Sequence, residues 1–120
     1  MEENIKKEYT MKVAVVGSRS ITDISLEDYI GKEVTEIVSG GAVGVDTLAA
    51  EYSRAHGLRL TEILPQYERY GRAAPIKRNK EIVDYADKVL VFWNGSSKGT
   101  LSVINYAKKC EKPCEVIIKN

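Results

Sequence analysis

The chain has 120 residues, of which 43% are hydrophobic and 29% charged, and its formal net charge is +1. That length suits one domain with a single core, and the composition excludes a disordered or strongly polyionic chain. So small a net charge supplies no long-range field for nucleic acid or a membrane surface, which leaves only a local basic groove for nucleic acid.

There is no apolar run of spanning length and no signal-like segment, so a cytoplasmic protein with no membrane partner is expected. The two cysteines, Cys110 and Cys114, are far in sequence from the single histidine, His56. A zinc site needs about four ligands, so no metal is expected and no cofactor is required. A disulfide between the cysteines is open but not demanded, and two half-buried thiols are the simpler expectation.

Residues 1–10 are mostly polar and read as a flexible tail, with a single domain over 11–120. The apolar, β-branched run at 12–16 is continuous rather than alternating, as in a strand buried on both faces. It exits through Gly17, Ser18 and Arg19. Residues 25–31 read as a short helix, with Ser25 as its cap, Asp28 three residues on and Gly31 as its stop. A second strand, 36–39, enters Gly40-Gly41-Ala42-Val43-Gly44-Val45-Asp46 and leaves as a helix over 44–55. Leu48, Ala49, Tyr52 and Ala55 form its core stripe. His56 reads as a surface residue at that helix's end.

Residues 59–64 form a third expected strand. The irregular stretch 65–75 has two prolines, two tyrosines and two arginines, and reads as a flap over a pocket. A helix over 76–86 carries Arg78 and Asn79 in its first turn. The strand expected over 88–93 is apolar, β-branched and aromatic, and ends at Trp93. Its exit holds Asn94, Gly95, Ser96, Ser97, Lys98, Gly99 and Thr100, followed by a helix through Leu101, Ile104 and Ala107. Residues 115–118 form the last strand.

Strands and helices in alternation predict an α/β fold, a Rossmann-like three-layer α/β/α sandwich around a mainly parallel five-stranded sheet. In such sheets ligands bind beyond the carboxyl ends of the strands. Three exits rich in glycine, hydroxyls or arginine should therefore share one crevice. Neither glycine loop has the P-loop spacing or the Gly-x-Gly-x-x-Gly fingerprint, which disfavours an ATPase and a common dehydrogenase.

Four blocks carry a family resemblance: Val15-Val16-Gly17-Ser18-Arg19, then Ser39-Gly40-Gly41-Ala42-Val43-Gly44-Val45-Asp46-Thr47-Leu48-Ala49, then Pro75-Ile76-Lys77-Arg78-Asn79, and Ala86 through Thr100. From about Met11 to Ile118 the chain resembles the small YspA-like proteins of the SLOG superfamily, which also holds the DNA-processing protein DprA/Smf and the LOG cytokinin-activating enzymes. The resemblance implies a Rossmann-like sheet with a nucleotide or nucleotide-derived ligand at the strand ends, and a homo-oligomer. It also marks a departure. LOG enzymes carry Pro-Gly-Gly-x-Gly-Thr-x-x-Glu, whose glutamate takes part in cleaving the N-glycosidic bond, whereas here Gly99-Thr100-Leu101-Ser102 leads to Val103. Arg78 looks like the arginine of the LOG site and is the single catalytic candidate if the protein is an enzyme. Glu81 is a weak substitute for the missing glutamate.

The roles expected from chemistry follow. Backbone amides of Gly40, Gly41, Ala42 and Gly44 should cradle a phosphate at a helix start, as should Gly99 and Thr100 at the next. Arg19 and Arg78 would neutralise its charge. Asp46 would repel a phosphate, so it should accept bonds either from a ribose hydroxyl or from loop amides. Ser97 either caps a helix or contacts ligand, Asn79 reads a base or holds the turn, and Trp93 stacks on a base or packs in the core. Tyr67 and Tyr70 are further stacking candidates. Three functions stand open: a nucleotide-binding module such as a sensor; a LOG-type phosphoribohydrolase, disfavoured by Val103; and single-stranded DNA binding in the manner of DprA through Arg69, Arg72, Lys77, Arg78 and Lys80, disfavoured by the net charge.

Overall fold

Strand β1, Lys12–Gly17, sits at the centre of the sheet because both of its faces are apolar. Val13 and Val15 point to one side, Ala14 and Val16 to the other, and all four are buried. The same period of two splits Leu90 and Phe92 from Val89 and Val91 on the neighbouring strand. The structure is a computed structural model that describes residues 9–119. The expected tail over 1–10 falls outside those residues except for Tyr9 and Thr10.

Strands β2 (Glu36–Ser39), β3 (Arg59–Glu62), β4 (Lys88–Trp93) and β5 (Cys114–Ile118) complete a five-stranded sheet of order β3-β2-β1-β4-β5. Every pairing is parallel. Helices α1 (Val45–Ala55), α2 (Tyr67–Tyr70), α3 (Ala74–Tyr85) and α4 (Lys98–Lys109) fill the crossovers. On one face, α1 and the segment bearing Ile21, Leu26, Ile30 and Val34 cover Val13, Val15, Ile37, Leu90 and Phe92. On the other, Ile82, Val83 and Ala86 join Val103, Ile104 and Ala107 of α4 over Ala14, Val16, Val38, Val89 and Val91. This is the three-layer α/β arrangement that the alternating pattern predicts. The chain winds outward from β1 in one direction through β2 and β3, then returns to the other side of β1 for β4 and β5. The switch point lies between β1 and β4, where such sheets open a crevice.

Two elements differ from expectation. The helix expected over 25–31 is only a 3₁₀ turn, Leu26–Asp28, and the Ser25 side chain makes no capping bond. Three residues cannot repeat the i→i−4 bond, so burial of Leu26 and Ile30 holds this crossover. The flap expected over 65–75 is mostly helical: α2 and a 3₁₀ turn, Gly71–Ala73, lead directly into α3, which has Pro75 in its first turn. Proline's missing N–H costs nothing there and its fixed φ favours the helix, so it starts α3 instead of extending the loop.

Candidate functional site

Two strand exits are locked together by backbone contact. Gly44, the residue before α1, has φ 75° and ψ −124°, and a Cβ there would stand 2.5 Å from the Arg19 carbonyl oxygen. Only glycine fits that conformation and that space. A Cβ on Gly17 would meet Val45 Cγ2 at 2.5 Å and the Phe92 carbonyl oxygen at 2.7 Å. The exits of β1 and β2 and the start of α1 therefore form one tightly packed unit.

Beside this unit lies a cleft of about 220 Å³. Gly17 and Arg19 line it from the β1 exit, Gly40, Ala42, Val43 and Asp46 from the β2 exit and α1, Pro75, Arg78 and Asn79 from α3, and Ser97, Gly99 and Thr100 from the α4 start. Val16, Ile82 and Val103 add apolar wall. The ionisable side chains among the lining residues are Arg19, Asp46 and Arg78. The two guanidinium groups suit holding an anion, and Asp46 is the single carboxylate among those lining residues.

Arg78 is held in place by the ends of two strands. Its Nη1 donates to the carbonyls of Gly40 at 2.7 Å and Ile63 at 3.3 Å, and its Nε donates to Asn79 Oδ1 at 2.9 Å. Among the described residues Nη2 has no partner in those bonds, leaving two donors of the guanidinium for a ligand. A Cβ on Gly40 would stand 2.6 Å from Arg78 Nη1, so a larger residue there would displace the guanidinium. Burial opposes the Arg78 charge, and the nearby Asp46 carboxylate supports it.

Asp46 is 8% exposed. Its Oδ2 accepts the Ala42 N–H at 3.0 Å, while Oδ1 is buried without a hydrogen-bond partner among the described residues. Burial raises its pKa above the usual carboxylate value, against the opposing pull of the Ala42 amide and the Arg78 guanidinium. Asp46 thus does fix the turn through a loop amide, and it keeps acceptor capacity beyond that bond.

The turn uses some of its own donors. The Gly41 N–H goes to Ser39 Oγ at 3.2 Å and the Ala42 N–H to Asp46. These two amides of the expected cradle are engaged internally, so an anion would rely on the turn's later amides and those in the first turn of α1. At the α4 start Ser97 is the N-cap: its Oγ accepts the Thr100 N–H at 3.3 Å and donates to Thr100 Oγ1 at 3.1 Å. The amides of Lys98 and Gly99 have no intrahelical acceptor at that position.

Other expected site residues lie off the cleft. Ser18 is buried behind Thr100, its Oγ 3.5 Å from Thr100 Oγ1 and accepting the Asn94 N–H at 3.2 Å. Gly41 faces Leu64 and Glu62, and Gly95 opens to solvent. Trp93 packs against the α3–α4 core and donates from Nε1 to the Ser97 carbonyl at 3.0 Å, which leaves its ring in the fold and not over the cleft. Tyr67 and Tyr70 do not line it either; the Tyr70 ring takes Arg69 and Lys77 at 5.2 and 5.1 Å.

Asn94, read from the sequence only as part of the β4 exit, has a role there that the sequence reading did not assign. Its Oδ1 accepts both the Ser96 and Ser97 amides at 2.9 Å and so shapes the β4 exit. Asparagine at a strand end before Gly-Ser-Ser is the signal of such a turn. Ile82 and Val16 were read only as core, yet they also wall the cleft. The chain matches no protein-family model and no curated protein.

Proposed function

We propose that the cleft binds a nucleotide or a nucleotide-derived phosphate ligand, and that the protein acts as a binding module of the kind its resemblance to SLOG proteins implies. The observation that carries this reading is convergence. Arg78 with an unspent Nη2, Arg19, the start of α1 and the start of α4 all border one cleft at the switch point of a parallel sheet. Arginine and open helix-start amides are the groups that hold phosphate oxygens.

Thermal shift against nucleoside mono-, di- and triphosphates and ADP-ribose tests it. Stabilisation should appear with at least one phosphate compound and shrink in Arg78→Ala. Removing a charge-assisted contact of this kind should weaken binding about tenfold or more. An unmoved melting curve across the panel at millimolar concentration would refute the reading.

Turnover is not part of the proposal. Val103 is 1% exposed and stands in the apolar wall of the cleft. A valine at that place cannot handle a proton or stabilise a developing ribosyl cation. Incubation with AMP should therefore release no adenine, and release that Arg78→Ala abolishes would replace binding by hydrolysis.

Self-association belongs to the same reading. Edge strand β5 exposes Val116 and Ile118, which favours pairing with another copy. Light scattering should show a mass above that of the monomer, and a monomer throughout the micromolar range would remove this part.

A further inference from the structure

Asp46 raises a question that phosphate binding alone leaves unanswered. A carboxylate beside a phosphate site repels the ligand, yet this one is built into the wall of the cleft and 8% exposed. Burying an acceptor without a donor is costly, and buried polar atoms in folded proteins nearly always find partners. The nearest cation does not supply one: Arg78 spends Nη1 on Gly40 and Ile63 and Nε on Asn79, and its Nη2 makes no hydrogen bond to Asp46 among the described residues. The Ala42 amide occupies Oδ2 and leaves Oδ1 with nothing among the described residues. Among the described residues no group makes that bond, and a hydroxyl of a ligand in the cleft would.

The chemistry of that donor is constrained by its neighbours. It sits next to a place suited to an anion, so it belongs to a molecule that carries both a phosphate and a neutral O–H or N–H close to it. A sugar phosphate has this combination. At about 220 Å³ the cleft is smaller than the ~300–1,000 Å³ of sites that enclose a whole drug-sized ligand. It would hold a pentose and its phosphate and leave an attached base at the mouth, where Val43 lines the wall and is 62% exposed.

We infer that the Asp46 carboxylate accepts a hydrogen bond from a hydroxyl of the ligand's sugar, and so selects a hydroxylated pentose phosphate over its dideoxy counterpart and over inorganic phosphate. This rests on the phosphate-site reading above and adds to it the identity of the selecting residue. The source of the sugar phosphate, a nucleotide or the free sugar, is separated by the choice of probes.

Isothermal titration calorimetry on the full chain would compare the four common nucleoside 5′-monophosphates, their 2′,3′-dideoxy counterparts, ribose 5-phosphate and inorganic phosphate. The hydroxylated nucleotide should bind about tenfold or more tightly than its dideoxy partner, as expected for a bond to a charged acceptor. In Asp46→Asn the preference should fall to a few-fold, and inorganic phosphate should bind more tightly than to the parent protein because a repelling charge is gone. If ribose 5-phosphate binds as well as the nucleotides, the source is the free sugar. Equal affinity for hydroxylated and dideoxy nucleotides in the parent protein overturns the role of Asp46 while leaving the phosphate site intact. A preference that survives unchanged in Asp46→Asn overturns it too. Failure of every compound to bind removes the phosphate site and this inference together. The comparison of ligands on the unmodified chain keeps the inference refutable even if the variant does not fold.

Discussion

Two buried carboxylates stand at opposite ends of the same region, and their surroundings differ. Glu36 opens β2 and is 6% exposed; Asp46 lies just past the turn that leaves β2 and is 8% exposed. Glu36 Oε2 accepts the hydroxyls of Thr61 and Tyr85, both at 2.7 Å, and Oε1 lies 3.9 Å from Arg59 Nε. Everything Glu36 needs is supplied by this chain. Asp46 Oδ2 accepts the Ala42 amide, and its Oδ1 has no hydrogen-bond partner among the described residues. A polar group completed by its own fold holds elements together. One left incomplete at the carboxyl edge of a parallel sheet is where a ligand would complete it. The contrast lies in the partners, since burial is nearly equal.

The strongest way to break the carboxyl edge is Gly44→Ala. It forces alanine into a conformation with φ 75° and drives its Cβ to 2.5 Å from the Arg19 carbonyl oxygen. Backbone strain and overlap together should cost about 3 kcal/mol or more in urea denaturation, and a loss under about 1 kcal/mol would mean that the two exits are not locked. Next in size, Glu36→Ala should cost about 1–2 kcal/mol by removing the acceptor shared by Thr61 and Tyr85. It should leave nucleotide affinity unchanged. Arg78→Ala inverts that pattern: a stability loss of about 1 kcal/mol from the freed Gly40 and Ile63 carbonyls, with a far larger loss in binding. If Glu36→Ala weakens binding as much as Arg78→Ala does, the two ends are not independent and the contrast fails.

The sheet was readable because its strands announce themselves. Runs such as Lys88-Val89-Leu90-Val91-Phe92-Trp93 are apolar on both faces, and burial on both faces is what β1 and β4 have. The first crossover was misread as a helix because its capping letters look right, yet the turn is too short to use them and is held by Leu26 and Ile30 packing on the sheet. Glycine positions flagged the turns, but which amides remain open was not legible: Ser39 Oγ and Asp46 Oδ2 take two of them, a fact of side-chain direction. The placement of Trp93 was equally hidden, because its sequence position at a strand end fits a stacking surface as well as a bond to the Ser97 carbonyl.

The substitution that separates the two carboxylates most directly acts by a gain and not a loss. Asp46→Asn keeps an oxygen to accept the Ala42 N–H and deletes the charge. Burial, with a contribution from Glu62, raises the Asp46 pKa above its ordinary value of 3.8, while Arg78 and loop amides act in the other direction. The folded chain therefore keeps this proton to a higher pH than the unfolded chain does. Between 3.8 and the raised folded value the folded state binds more protons, so stability falls as pH rises through that window and stays lowered above it. Asparagine has no such loss. The variant should match the parent near pH 3.8, gain on it as pH rises, and level off about 0.5–2 kcal/mol more stable, read as the difference in melting temperature across pH. That gain would show a charge kept at a cost to the fold, as expected of a group kept for a ligand. A variant less stable than the parent at neutral pH would show instead that attraction to Arg78 outweighs burial, and Asp46 would then join Glu36 as a residue that serves the fold.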